Sequence, residues 1–116
     1  IEDQFNGKSD DIKKMFLELQ ERIFLLESDQ KIEENPRKLY IAYRTTKNFA
    51  YVHIQSKAIK IHLPMKKEEF DDPKNIIIEL SKWVQLRWTY CEVALKSFDD
   101  LNDVVHIIKQ SYLQSI

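Results

Sequence analysis

Within residues 36–67 the chain carries eight lysines or arginines and no aspartate or glutamate. Aromatic rings and histidines are interleaved with these cations: Tyr40, Phe49, Tyr51, His53 and His62 lie among Lys38, Arg44, Lys57 and Lys60. Flat rings stack on nucleobases at about 1–3 kcal/mol each, and Lys and Arg displace counterions from phosphates, so the mixture suits a single-stranded nucleic acid. Packing is the other reading of the same rings, because Tyr and Phe favour strands wherever a strand is half buried. Elsewhere ten basic residues stand against nineteen acidic ones, a segregation that the net charge of −1 conceals.

Other constellations carry less. His53 and His62 fall on one face of adjacent predicted strands, and Glu92 would complete a minimal metal site, but no local His or Cys spacing supports one. Asp71-Asp72 is a carboxylate pair for which the following Pro73 makes helix capping a sufficient explanation. The acidic-spacer-lysine pattern of nuclease strands occurs at Asp11-Ile12-Lys13, Asp29-Gln30-Lys31 and Asp72-Pro73-Lys74, each at a helix end or turn. There is no glycine-rich phosphate loop, no GxSxG elbow and no cysteine beside a plausible base. No catalytic residue, cofactor or metal ligand is assigned.

The elements that must position these side chains follow from periodicity. Ile12, Met15, Phe16, Leu19, Ile23 and Leu26 recur at helical steps, with Ser9 or Asp10 as cap. Polar residues 28–35 and Pro36 then end the helix. Three period-two runs, at residues 39–45, 48–55 and 58–63, predict an antiparallel meander. With two-residue turns at Thr46-Lys47 and Ser56-Lys57, Ile41 faces Val52, Leu39 faces Ile54, Val52 faces Ile61 and Ala50 faces Leu63. Every apolar residue then lands on one side, and a slip of one residue would destroy that agreement. The opposite side shows Tyr40, His53 and Lys60 in one cross-strand row and Tyr51 with His62 in the next, with Arg44 and Phe49 near the turn.

Asp72-Pro73 and the spacing of Ile76, Ile77, Leu80, Trp83 and Val84 predict a short helix over residues 73–84, which is one candidate cover for that opposite side. Residues 88–96 alternate as a fourth strand. Ser97 and Asp100 form a capping box for a final helix with Leu101, Val104, Val105, Ile108 and Tyr112 on its buried stripe. The fold class expected is α+β in the order α-β-β-β-α-β-α, a two-layer arrangement of an antiparallel sheet against two long helices. One domain over residues 9–116 follows a loose segment at residues 1–8.

At 116 residues the chain can bury about two-thirds of its unfolded surface, enough for one core without metal or disulfide. No apolar run approaches the roughly 18 residues of a membrane helix. The single Cys91 excludes an internal disulfide and fits a reducing cytoplasm. The chain starts at Ile1 rather than Met and reads as part of a longer protein.

The runs Tyr40-Ile41-Ala42-Tyr43, Lys47-Asn48-Phe49-Ala50, Lys60-Ile61-His62-Leu63, Asp71-Asp72-Pro73, Ser97-Phe98-Asp99-Asp100-Leu101 and Ile107-Ile108-Lys109-Gln110-Ser111-Tyr112 occur in this order. Together they resemble a bacterial domain-of-unknown-function family once labelled "predicted transport protein", over residues 9–114. The resemblance implies a C-terminal module of longer proteins, several of them with restriction-endonuclease-like neighbours, and so an accessory role. It supplies no site residues. The expected function is a non-catalytic accessory domain that contacts nucleic acid through the basic aromatic face. The alternatives are a protein-interaction or homodimerisation module, docking on a second copy or a neighbouring domain through the same face or the apolar surplus around Trp83 and Trp88, and part of a nuclease-like enzyme.

Overall fold

The computed structural model describes residues 1–28, 30–81 and 88–116. Helix α1 (Asp10–Phe24) starts where Ser9 Oγ accepts the Ile12 amide at 3.2 Å, with Asp10 and Asp11 at the positive end of the dipole. Its buried residues are Ile12, Met15, Phe16, Leu19 and Ile23, the stripe expected from periodicity. Strands β1 (Glu33–Pro36), β2 (Ile41–Arg44), β3 (Asn48–Ile54), β4 (Ile59–Leu63), β5 (Ile78–Glu79) and β6 (Cys91–Leu95) form one antiparallel sheet in the order β1-β2-β3-β4-β6-β5. Helix α2 (Leu101–Ser115) closes the chain, entered through a 3-10 turn in which Asp100 Oδ2 accepts the Ser97 amide at 3.2 Å. Two helices on an antiparallel sheet make the expected two-layer α+β architecture.

Pairing follows the expected register at its centre. Ile41, Val52, Ile61 and Val93 lie side by side across β2, β3, β4 and β6, and all four are fully buried under the helices. The Ser56-Lys57 turn is tight, with the Gln55 amide donating to the Ala58 carbonyl at 3.0 Å. At the other hairpin the register shifts between Tyr43 and Arg44: Tyr43 pairs with Ala50 but Arg44 pairs with Asn48, so Phe49 is an extra residue. This β-bulge turns Phe49 into the core, where its ring meets Tyr112 edge-on at 5.5 Å. The bulge takes the Phe49 carbonyl out of the regular ladder, and Ser111 Oγ from α2 donates to it at 2.6 Å.

Four expectations change. Residues 73–80 are not helical: Asn75 has φ +53° and Ile78–Glu79 pairs with β6. Asp72 is a cap, but of a turn, its carboxylate accepting the Ile76 and Ile77 amides at 3.0 and 2.9 Å. The rest of that expected helix, including Trp83 and Val84, lies outside the described residues. β1 was hidden in a polar stretch because Glu33, Glu34 and Pro36 have little strand propensity, a composition tolerated at a sheet edge. Its hairpin with β2 closes through the Arg37 amide and Tyr40 carbonyl at 2.7 Å, which puts Leu39 at a turn tip, exposed and unpaired with Ile54. Residues 1–8, expected to be loose, hold a 3-10 turn whose Phe5 packs edge-on against Phe16 at 5.6 Å, and Gln4 Nε2 donates to the Arg37 carbonyl at 2.9 Å.

Replacing Ser111 with Ala should strip the buried bulge carbonyl of its donor and lower stability by about 1–3 kcal/mol. Urea denaturation measures this, and an unchanged midpoint would mean that the bulge does not depend on α2.

Candidate functional site

Because successive strand residues alternate, the register that buries Val52 sends its neighbours to the other face. Asn35, Ala42, Tyr51, His62, Glu92 and Ile78 form one row there across all six strands, and His53 opposes Lys60 in the next. Tyr40, just before β2, folds its ring over both rows. It meets Tyr51 at 5.5 Å and His53 at 5.7 Å, while His53 and His62 approach to 4.3 Å between ring centroids. Tyr40, Tyr51, His53, Lys60 and His62 are therefore brought together as the alternation predicts. Lys38 and Lys57 are exposed in turns beside this face, and Arg44 sits at its corner. Phe49 is the exception, drawn to the opposite side by the bulge.

The rings are closely packed rather than splayed. Tyr51 is only 7% exposed, and Asn48 Nδ2 donates to its hydroxyl at 3.2 Å. His62 Nε2 lies 3.0 Å from Glu92 Oε1, whereas His62 Nδ1 and His53 Nε2 are sealed from solvent without a partner. Burial pushes the His53 imidazole down to about 4, reinforced by His62 and partly opposed by the Leu39 backbone and Glu92. A His–carboxylate pair of this kind is a familiar base-and-orienter arrangement, yet neither free imidazole nitrogen is open to a substrate. Among the described residues no three His, Cys, Asp or Glu side chains are placed to hold a metal ion. Cys91 is buried in the core, its thiol pushed up to about 12 mainly by desolvation.

At the corner of the face a groove of about 480 Å³ opens between Arg44, Lys47, Asn48, Tyr51, Trp88 and Tyr90. Sequence reasoning singled out Arg44 and Tyr51, and Trp88 as part of an apolar docking surplus, but passed over Lys47, Asn48 and Tyr90. Lys47 read as a hairpin-turn residue, Asn48 as the first residue of the second strand run, and Trp88 and Tyr90 as the start of the fourth strand. Only the pairing of β6 beside β4 brings Tyr90 next to residues of the meander, through the Tyr90 amide on the Leu63 carbonyl at 2.9 Å.

Residues 1–115 match the family model described as a domain of unknown function, DUF5655. The chain belongs to that family. A relative in Haemophilus influenzae, named only as an uncharacterized protein, is 33% identical over 109 residues, which is 94% of this chain and 35% of the relative. The DUF5655 chain thus spans about a third of the length of that relative. No solved structure matches it. No helix among the described residues is long and apolar enough to cross a membrane.

The packed imidazoles give the DUF5655 domain a pH signature. With its folded value near 4 against 6.5 for an unperturbed ring, His53 stays neutral in the fold while the unfolded chain takes up a proton first. Stability contributed by the neutral ring should therefore be complete above about pH 6.5 and be lost as the pH falls toward 4. His53→Gln should flatten the melting temperature across that window. A wild-type melting temperature that does not change over it would show that the ring cluster is open to water.

Proposed function

We propose that this domain is a non-catalytic accessory domain of a larger bacterial protein, and that it contacts single-stranded nucleic acid along its basic, aromatic second sheet face. The observation that carries the reading is the segregation of the two faces. Both helices pack on the side of Val52 and Ile61, while the meander's cations surround the opposite side, where Tyr40, Tyr51, His53 and His62 are gathered. Lys60 lies within that face and Arg44 at its edge, where Glu33 Oε2 is 3.7 Å away between two well-exposed side chains. A pair so exposed is worth little, so Arg44 can exchange its carboxylate for a phosphate at small cost. The accessory role is supported by the Haemophilus relative, in which the matched region is about a third of the chain.

A second reading, docking on another copy or a neighbouring domain, has the outward-facing Leu17 and Leu25 near and within α1 and Leu113 of α2 in its favour, each more than half exposed. Light scattering over a range of concentrations separates the two, since nucleic-acid contact needs no dimer.

Binding of a fluorescein-labelled single strand, followed by anisotropy at about 50 mM salt, tests the first reading. Three or four phosphates neutralised should give a slope of log K against log salt near −2 to −3, at about −0.7 per phosphate. Lys60→Ala should make that slope shallower by about one such step. Absence of binding at high micromolar protein would remove the nucleic-acid reading and leave the docking module.

A further inference from the structure

We propose that the turn from Arg37 to Tyr40, between β1 and β2, is a lid over the aromatic face, latched shut by Gln4, and that a single-stranded nucleic acid reaches the Tyr40 and Tyr51 rings by lifting it. This rests on the nucleic-acid reading above and adds to it the step that governs access.

Tyr51 cannot receive a base in the closed arrangement, because the Tyr40 ring stands edge-on to it at 5.5 Å and leaves it 7% exposed. His53 lies under the same turn, which meets it twice, through the Tyr40 ring at 5.7 Å and through the Leu39 backbone. These contacts both hold the turn and oppose it. The edge-on contact of the two tyrosines is favourable, whereas His53 Nε2 is shut away from water with no partner and forfeits the hydrogen bond that water would supply. Nor has the turn an apolar anchor at its tip, since Leu39 is 74% exposed and Arg37 and Lys38 are exposed beside it.

A tie from another segment completes the closure. Gln4 Nε2 donates to the Arg37 carbonyl at 2.9 Å and to the Tyr40 carbonyl at 3.2 Å, so both hydrogens of one amide are committed to the two ends of the turn. Gln4 belongs to the 3-10 segment Glu2–Phe5, which is fixed to α1 by the Phe5 ring on Phe16. The same short segment therefore touches the helix layer and holds the turn whose Tyr40 covers the opposite sheet face. An incoming strand meets the exposed Arg37 and Lys38 first, and these can engage its phosphates before any ring is uncovered. Stacking on Tyr51 becomes available only in the open state, so the strand binds that state better and shifts the population toward it. A duplex, whose bases are covered by their neighbours, gains no stacking from the opening.

Gln4→Ala removes the latch without altering the face or any charge. In anisotropy titrations at about 50 mM salt it should bind a labelled single strand about threefold to tenfold more tightly than wild type, with the salt slope unchanged, because more of the protein is then open. In an NMR titration of the histidine rings the His53 midpoint should rise from about 4 toward 6.5 as the imidazole regains water, with His62, Lys60, Glu92 and Tyr40 still around it. Phe5→Ala, which unseats the segment from α1 and leaves Gln4 in place, should move both readouts in the same direction. Ser111→Ala loosens the fold at the helix-covered face and should move neither. An unchanged affinity or an unmoved His53 midpoint in Gln4→Ala overturns the lid and leaves the face-wide reading standing, as does an equal effect of Ser111→Ala. Absence of binding by both wild type and Gln4→Ala overturns the lid and the nucleic-acid reading together.

Discussion

Strand register is the constraint from which the remaining features of this fold follow. Side chains alternate along a strand, so aligning Ile41, Val52, Ile61 and Val93 under the helices leaves no freedom in what the other side displays. Ala42, Tyr51, His62 and Glu92 must then stand in one row, and His53 must oppose Lys60. A shift of one position would bring His53, His62 and Glu92 under α1 and α2, where three ionisable groups would lose water with little to replace it. Burial of the apolar row therefore determines the composition of the candidate face without any selection acting on a ligand. That is why the close packing of its rings matters to interpretation: ring contact alone is accounted for by the fold.

The centre of the meander was legible because there local alternation and tertiary burial coincide. Phe49 was not, since a bulge depends on a partner outside the strand. Ser111 lies in another element, and its bond to the Phe49 carbonyl together with the Tyr112 contact rewards the extra residue. Isoleucines 76–78 misled for a related reason. Three adjacent apolar residues fit a helix face or a buried extended segment equally well, and the Asp72 carboxylate, which a helix would use as its cap, stabilises a turn instead. β1 escaped notice because its residues are chosen for an edge, where charge and proline are tolerated.

Charge was legible as a count but not as a map. The meander's own sequence is free of acids, yet β1 brings Glu33 beside Arg44 and Glu34 beside Tyr43, and β6 brings Glu92 to His62. Glu34 also receives Gln20 Nε2 at 2.7 Å, and burial with this carboxylate at hand drives the Tyr43 phenol well above its ordinary value. Acids from distant segments thus enter the basic region at its two flanks, Glu33 beside Arg44 on one and Glu92 beside His62 on the other. Linear charge segregation marked residues 36–67, and strand order decided which acids stand beside them.

The two margins of the sheet bear on how such a domain behaves when it is joined to other modules or crowded at high concentration. One margin, β1, ends in Pro36, which has no amide to offer an incoming strand, and it carries adjacent glutamates that would confront their own copies. The other, β5, is two residues long and too short to template a neighbour. Runaway strand-on-strand polymerisation is discouraged at both ends. The polar stretch that concealed β1 from sequence reading thereby acts as a guard against fibril growth.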